Sequence, residues 1–408
     1  MSLSVSPPTG EVLRNARRKS AIEVKLSLIT PMFGGSADAG QVDPHRPVTG
    51  RAPQRQGPSA RADAGQVDPH RPVTAKSIRG HLRFWWRACR AGQFPSVDDM
   101  FRREAEIWGA AAEFNNKGGL EQGPGAVDLE VEVTNAELIR KASRESGPQE
   151  RVFMFPFQRP AAEPLRDVSF TLRLFLKSEG FKEDVRDALI AWILFGGVGA
   201  RTRRGCGALK LEGGLEDYPS DYPSDVNALR NWAGRLPTPP PEPWITCLSG
   251  VRAVLGKADS AEKAWPSLGT YWSRFRKGHS GGRWPDHEVL KQLRGDEKSL
   301  SLVKPFLGLP IVYQPFPGSF VGTVEPEDSG RMASPVILKP LALGNREVRP
   351  AVVVLRAPRP GRVKVKGKKF EVTLPLDDPI IEGYGDLFEA VLKSARDHFP
   401  GAHCIGFD

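Results

Sequence analysis

The sequence predicts an α+β fold of antiparallel sheets with helices packed on one face, and three observations carry that reading. Several segments alternate apolar and polar residues with period 2, as half-buried strands do. Other segments repeat apolar residues every three to four positions, as an amphipathic helix does. In the first half of the chain the two kinds follow the order strand, helix, strands, helix, strand, the order of a ferredoxin-like (RRM-like) sheet carrying inserts. The chain has 408 residues, room at about 150 per domain for two or three domains with their own cores. The expected division is a loose basic N-terminus over 1–19, a first ferredoxin-like domain over 20–215, a Pro-rich linker over 216–245, and a second ferredoxin-like α+β domain over 246–408.

From Ala21 to Ile29, apolar Ile22, Val24, Leu26 and Leu28 alternate with Glu23, Lys25 and Ser27, which predicts a strand. It runs into a turn at Thr30-Pro-Met-Phe-Gly-Gly35. An internal repeat follows: Ala37–Thr49 and Ala62–Thr74 both read ADAGQVDPHRPVT, 25 residues apart. The segment is polar and lacks the apolar face that stacking repeats need, so a locally duplicated loop is expected rather than a solenoid. A smaller echo, Asp-Tyr-Pro-Ser twice within Asp217–Asp225, falls in the linker.

Ser77–Arg90 is the most informative helix. At 100° per residue, Ile78, Leu82, Trp85, Trp86 and Cys89 share an arc of about 100°, while Arg79, Arg83, Arg87 and Arg90 fill the adjoining arc. Four arginines without an acidic partner at i±4 repel one another unless an anion joins them. Gly80, in their midst, leaves room for another backbone to approach. A second helix is expected over Val97–Trp108, strands over 126–134, 152–157 and 168–177, a helix over Lys182–Phe195 with acidic residues at its start, and a strand over 208–211. Beyond the linker, helices are expected near 259–276 and 287–293. Strands are expected over 309–313, 320–324, 336–341, 351–356 and 369–374, with a last helix over 385–397.

Lysine and arginine number 58 against 48 acidic residues, a net charge of +10. The cations cluster locally, which suggests a polyanionic partner. A folded nucleic-acid binder fits better than a membrane-surface protein, since no helix combines a basic face with an unpaired apolar one. The four cysteines lie far apart with no CxxC pair, so neither a zinc module nor a disulfide framework is expected, and no cofactor or metal. No apolar run reaches about 18 residues and no secretory signal is legible, which points to a cytoplasmic protein without a membrane partner.

The sharpest local signal is Gly197-Val-Gly-Ala-Arg-Thr-Arg-Arg-Gly-Cys-Gly207. Two Gly-x-Gly units flank five residues, three of them arginine. Glycine admits positive φ and lets backbone N–H groups face an anion, and arginine grips phosphate through two bonds. The loop follows a helix and leads into a strand, so it is neither a Walker A loop nor a dinucleotide fingerprint.

The strand with its Thr30-Pro-Met-Phe-Gly-Gly turn, the run Pro72–Ala88 with its Phe84-Trp-Trp-Arg87 core, Glu106-Ile-Trp-Gly109 and the double Gly-x-Gly loop together resemble the RAMP superfamily of CRISPR-associated proteins. Within it, Gly282-Arg-Trp-Pro-Asp286, Gly308-Leu-Pro310 and Arg331-Met-Ala-Ser-Pro335 are similar to the first RAMP subunit family of the type III-B (Cmr) effector complex. The resemblance runs from about Ile22 to Leu341. It departs in one respect: the usual pattern is met if 50–74 is deleted, so one copy of the loop is extra. The resemblance implies two ferredoxin-like domains and a non-catalytic, RNA-binding subunit of a type III-B effector in antiviral defence, contacting the CRISPR RNA near its 3′ region or the single-stranded target RNA beside other Cmr subunits. Aromatics beside arginines suit single-stranded RNA.

The expected RNA-binding residues are Lys76, Arg79, Arg83, Trp86 and Arg87 on the helix; Gly197, Gly199, Arg201, Arg203, Arg204, Gly205 and Gly207 in the loop; and Arg283 and Arg331 beyond the linker. Two other readings stand beside this one. A RAMP-type endoribonuclease would use Asp38, Asp43 and His45, their copies Asp63, Asp68 and His70, or His81 as a general base. A protein–protein scaffold would set its basic faces against acidic subunits.

Overall fold

A computed structural model of the protein describes residues 21–34, 72–110, 124–138, 152–153, 164–213, 221–238, 244–277, 286–313, 320–328, 331–344, 347–378 and 381–406. In the first domain, β1 (Ala21–Leu28) leads to α1 (Ala75–Arg90), α2 (Val97–Trp108), β2 (Val127–Leu138), β3 (Leu165–Leu176), α3 (Lys182–Phe195) and β4 (Leu209–Glu212). The sheet order is β2-β3-β1-β4, antiparallel throughout. That is the ferredoxin-like arrangement expected from the order of elements.

Period-2 alternation decides which face is wet. Val24 and Leu26 pair with Leu172 and Phe170 and lie buried under α1 and α3. The other face carries Glu23, Glu130 and Glu132, all ion-paired to Arg173 at 2.6, 3.4 and 3.0 Å. This outer face is built around carboxylates, so the surface an RRM-like sheet offers to bases is here hostile to phosphates.

The helix boundaries follow local chemistry. Thr74, the last residue of the second repeat copy, caps α1 by accepting from the Ser77 N–H at 3.2 Å. Ser96 caps α2, and Gly109 ends it at φ +78°.

The second domain repeats the topology. After α4 (Val226–Gly234) come β5 (Cys247–Leu255), α5 (Ala261–Lys277), α6 (Asp286–Lys291), β6 (Ser299–Ser301), β7 (Ile311–Tyr313), β8 (Gly322–Pro326), β9 (Val336–Leu343), β10 (Glu347–Arg356), β11 (Arg362–Val365), β12 (Lys368–Thr373), α7 (Leu387–His398) and β13 (His403–Ile405). The order β13-β5-β10-β9 is the same ferredoxin-like permutation, and β6-β12-β11-β8-β7 form an inserted sheet. Its β11–β12 hairpin, at the basic run Lys364–Lys369, turns on Lys366 and Gly367 with φ of +48° and +80°.

The layers share their cores. On the β5-β10-β9 sheet, Ala253, Leu255, Ile337, Leu341 and Val353 join the core of the first domain, whereas Val254, Val336, Leu338 and Val352 join the core with α5 and α7. The first domain's helices therefore lie between the two ferredoxin-like sheets.

Three expectations needed correction. The stretch read as a Pro-rich linker holds α4, whose Trp232 is buried and donates to Asp187 at 3.1 Å; the prolines hid its 3.6-residue period. Val152 and Phe153 are helical rather than strand, and Phe153 is a core residue, so burial and not alternation explains the apolar letters. Strands β5, β6, β11 and β13 were not anticipated; β5 is buried on both faces and lacks clean alternation. The duplicated loop 37–71 with Asp38, Asp43, His45, Asp63, Asp68 and His70 lies outside the described residues, as does Arg283.

Candidate nucleic-acid interface

The Gly/Arg loop is folded against its own domain before it can meet any ligand. The Gly207 N–H donates to Pro31 O at 2.9 Å, Ala200 N–H to Phe33 O at 2.8 Å, and Val198 N–H to Gly207 O at 3.0 Å. Thr30 Oγ1 donates to Gly205 O at 2.6 Å and accepts from Ala208 N–H at 2.8 Å. The turn after β1 and the loop after α3 are thus one hydrogen-bonded unit.

The glycines are there for space. A Cβ on Gly207 (φ +62°) would stand 2.0 Å from Val198 O, and one on Gly199 (φ +80°) 2.2 Å from Phe33 O. Gly207→Ala is therefore expected to lower stability by about 2 kcal/mol or more, because a backbone oxygen cannot swing away. Gly80→Ala, where a Cβ meets nothing within 4 Å on exposed helix, should raise it by about 1 kcal/mol. Thermal denaturation of both variants checks the pair; equal shifts would contradict the steric account.

The loop arginines reach across to the second domain. Arg203 Nη1 donates to Ser334 O, and Arg204 donates to Val336 O at 2.7 Å and Ser334 Oγ at 3.1 Å. Their guanidinium planes lie over Phe84, 5.3 Å from its centroid, and Trp272, at 4.9 Å. Trp265 Nε1 donates to Arg204 O at 2.9 Å. Arg201 sits in the left-handed region at φ +57°, half-buried, with its Nε hydrogen buried and without a partner.

Arg276, one turn after Trp272 on α5, adds a fourth guanidinium. Burial, and then the charge of Arg276, lowers the proton affinity of Arg201. Burial pushes Arg203 down to about 10. Arg204 falls well below its ordinary value through burial and the charges of Arg201, Arg276 and Arg203. Among the described residues none of the four makes an ion pair with a carboxylate. The seam between the domains concentrates positive charge at a place where an anion would relieve it.

The segments that the sequence singled out separately meet here. Leu309 and Met332 exchange backbone hydrogen bonds at 2.9 and 3.0 Å, and a Cβ on Gly308 would touch Ser334 N at 3.0 Å. Residues 308–310 thus back the segment whose Ser334 and Val336 receive Arg203 and Arg204.

Residues 25–210 match the family model of the RAMP superfamily. The matched stretch runs from within β1 to within β4 of the first domain. The chain as a whole shares its fold with the crystal structure of Cmr1 from Pyrococcus furiosus in its apo form. The TM-score is 0.51 at 13% identity, over 95% of this chain and 99% of that one. A cryo-EM structure described as the type III-B Cmr-β bound to cognate target RNA contains a chain that matches with TM-score 0.45 at 12% identity, covering 93% of this chain and 99% of that one. No curated protein matches the chain.

Several expected contact residues have other occupations in the first domain. Trp86 is fully buried and donates from Nε1 to Asp184 Oδ1 at 2.9 Å, so it is core and no platform for a base. Trp85 is buried with it. The α1 arginines, read as lacking acidic partners, find them on other elements. Arg83 and Arg87 hold the buried Glu104 of α2 at 2.5 and 2.8 Å, and Arg90 holds Asp187 of α3 at 2.6 Å. Arg79 donates to Val127 O at 3.4 Å. Partners 17 to 97 positions away were invisible to an i±4 test.

Gly205 and Gly207 do not offer their N–H groups to an anion, since both are bonded inside the loop unit. Lys76, at the start of α1, and Arg331, beside the Ser334 receptor, are exposed. His81 is half-buried with its ring stacked on Trp192 at 6.3 Å, a packing position. Among the described residues no group of three His, Cys, Asp or Glu side chains could hold a metal, and no helix is long and apolar enough to cross a membrane. Glu104, Asp184, Asp187, Trp272 and Arg276, which build the seam and its supports, were not singled out from sequence, and Ser334 was legible only as part of the 331–335 motif.

Proposed function

We propose that the chain is a non-catalytic RNA-binding subunit of a type III-B CRISPR effector complex, and that RNA phosphates are engaged at the seam between its two domains, around Arg201. The observation that carries this is the cluster of Arg201, Arg203, Arg204 and Arg276, in which, among the described residues, no guanidinium is ion-paired and only Arg276 feels a carboxylate, that of Asp286. Two of the four are tied to carbonyls and aromatic rings, which fixes the geometry, and Arg201 makes no such tie among the described residues. The Cmr1-like fold over nearly the whole chain supports the assignment to this kind of subunit.

The interface would not be that of an RRM. The first sheet's outer face carries Glu23, Glu130 and Glu132, so the seam between the domains, and not the sheet, is where a polyanion gains energy. Guanidinium groups over Phe84 and Trp272 are pre-oriented, and their hydration is already partly surrendered in the free protein.

Titrating the purified protein with fluorescent single-stranded RNA, double-stranded RNA and DNA at several salt concentrations tests the reading, with a gel of the same samples for cleavage. Single-stranded RNA is expected to bind best and to stay intact. Log affinity should fall against log salt with a slope near −2, since about three phosphate contacts contribute roughly 0.7 each. A flat salt dependence would leave the scaffold role, and cleavage that survives repurification would move the superfamily's ribonuclease chemistry to the front.

A further inference from the structure

We infer that Lys339 is a positioning residue: from the second domain it closes the last turn of α3 and so holds the Gly/Arg loop in the conformation that presents Arg201. The functional half of this inference rests on the RNA-binding reading above.

Lys339 lies on β9 and is completely buried, on the same strand face as Ile337 and Leu341 and opposite Ala351 of β10. Its Nζ donates to Ile193 O at 3.1 Å and Gly196 O at 2.9 Å. Both carbonyls belong to the end of α3, where a helix runs out of internal N–H partners and where its dipole is negative. An N–H donor delivered there by another domain supplies the missing partners in either protonation state. The next residue is Gly197, at φ +157°, where a Cβ would stand 2.5 Å from Gly207 O. From there Val198 is bonded to Gly207 and Trp192 Nε1 to Gly197 O. No slack separates the lysine from the loop.

The surroundings make this more than a packing lysine. Among the described residues, the elements around β9 bring it no carboxylate. The end of α3 offers backbone carbonyls, and β4 offers Leu209 and Leu211. The loop brings the cations Arg203 and Arg204. On β10, Arg349 is already paired with Glu347 at 3.0 Å. The side chains of β9 that share a core with α5, Val336 and Leu338, alternate with Lys339. A buried amine with no opposing charge is costly to protonate. Burial accordingly draws its pKa down to about 7 from 10.5.

The sign of the consequence follows from linkage. With the latch open, Lys339 is hydrated and titrates near 10.5; with it closed, near 7. The open state therefore binds more protons between these values, and closing is favoured as pH rises through that window and disfavoured below it. The neutral amine still has two N–H donors for its two carbonyls.

Hydrogen exchange on the full chain, alongside RNA titration, tests this with Lys339→Met and Lys339→Gln. In Lys339→Met, exchange over 194–207 should accelerate at least about tenfold while β10 amides keep their protection. RNA affinity should fall about tenfold. In the wild type, loop protection corrected for intrinsic exchange should rise between about pH 7 and 9, by at most about tenfold per pH unit for one proton. Lys339→Gln, which keeps two donors but has no proton to shed, should regain part of the protection and lose the pH slope. Unchanged loop exchange in Lys339→Met, opening spread evenly through β9 and β10, or a flat wild-type profile would each overturn the inference. If Lys339→Met does not fold, the glutamine variant and the wild-type pH series decide. A wild type that binds no RNA would defeat the functional reading alone, because the exchange measurements do not involve RNA.

Discussion

Arg83→Glu is expected to lower stability by about 3–5 kcal/mol, a large share of the roughly 5–15 kcal/mol that a folded domain has. Arg83 Nε is 2.5 Å from Glu104 Oε1, and Glu104 is only 1% exposed. The substitution removes one of the two cations that make this carboxylate tolerable and sets a second carboxylate against it, with Arg87 left to serve both. Exchanging the whole trio for apolar residues of similar volume should recover most of the loss, since a packed hydrocarbon cluster has no charge to desolvate. Urea denaturation of wild type, single variant and triple variant would show this ordering. A single variant that unfolds at the wild-type midpoint would mean that the α1 arginines are free for an external anion after all. The expected outcome also disqualifies α1 charge reversals as clean probes of RNA binding, because loss of affinity and loss of structure would coincide.

That confusion shows where sequence reasoning stops. Period-2 and period-3.6 patterns are local, and they located β1, β2, β3, α1, α2 and α3 closely enough to give the ferredoxin-like order. The buried strand β5 and helix α4 escaped because one is apolar on both faces and the other stands among prolines. The segments 30–35, 197–207, 308–310 and 331–335 were all legible as unusual, yet nothing in their spacing said that they touch. Their contact depends on the second sheet lying against the first domain's helices, which is a tertiary fact. Arginine on one helix looks unpaired until Glu104 and Asp187 arrive from two others. The same blindness covered Lys339. A lone lysine in an apolar strand reads as an interruption, and only the end of α3 beside it gives it a partner.

Arg201→Glu is expected to weaken binding of single-stranded RNA by about tenfold or more at low salt and to make the salt slope shallower by roughly 0.7, the share of one phosphate contact. The loop arginines separate by what they touch. Arg203 and Arg204 hold the second domain through Ser334 and Val336, so truncating them should loosen the seam first and lose affinity as a consequence. Arg201 makes no such tie, and its Nε is buried without a partner. Reversing its charge also relieves repulsion from Arg276 and Arg204, so the free protein should keep or gain stability while RNA binding falls. Opposite signs for stability and affinity in one variant are difficult to obtain from a residue that merely supports the fold. Melting temperature and RNA affinity measured on the same preparation would decide it. A variant with unaltered affinity and salt slope would remove Arg201 from the interface, and parallel losses in both quantities would make it another clamp like Arg204.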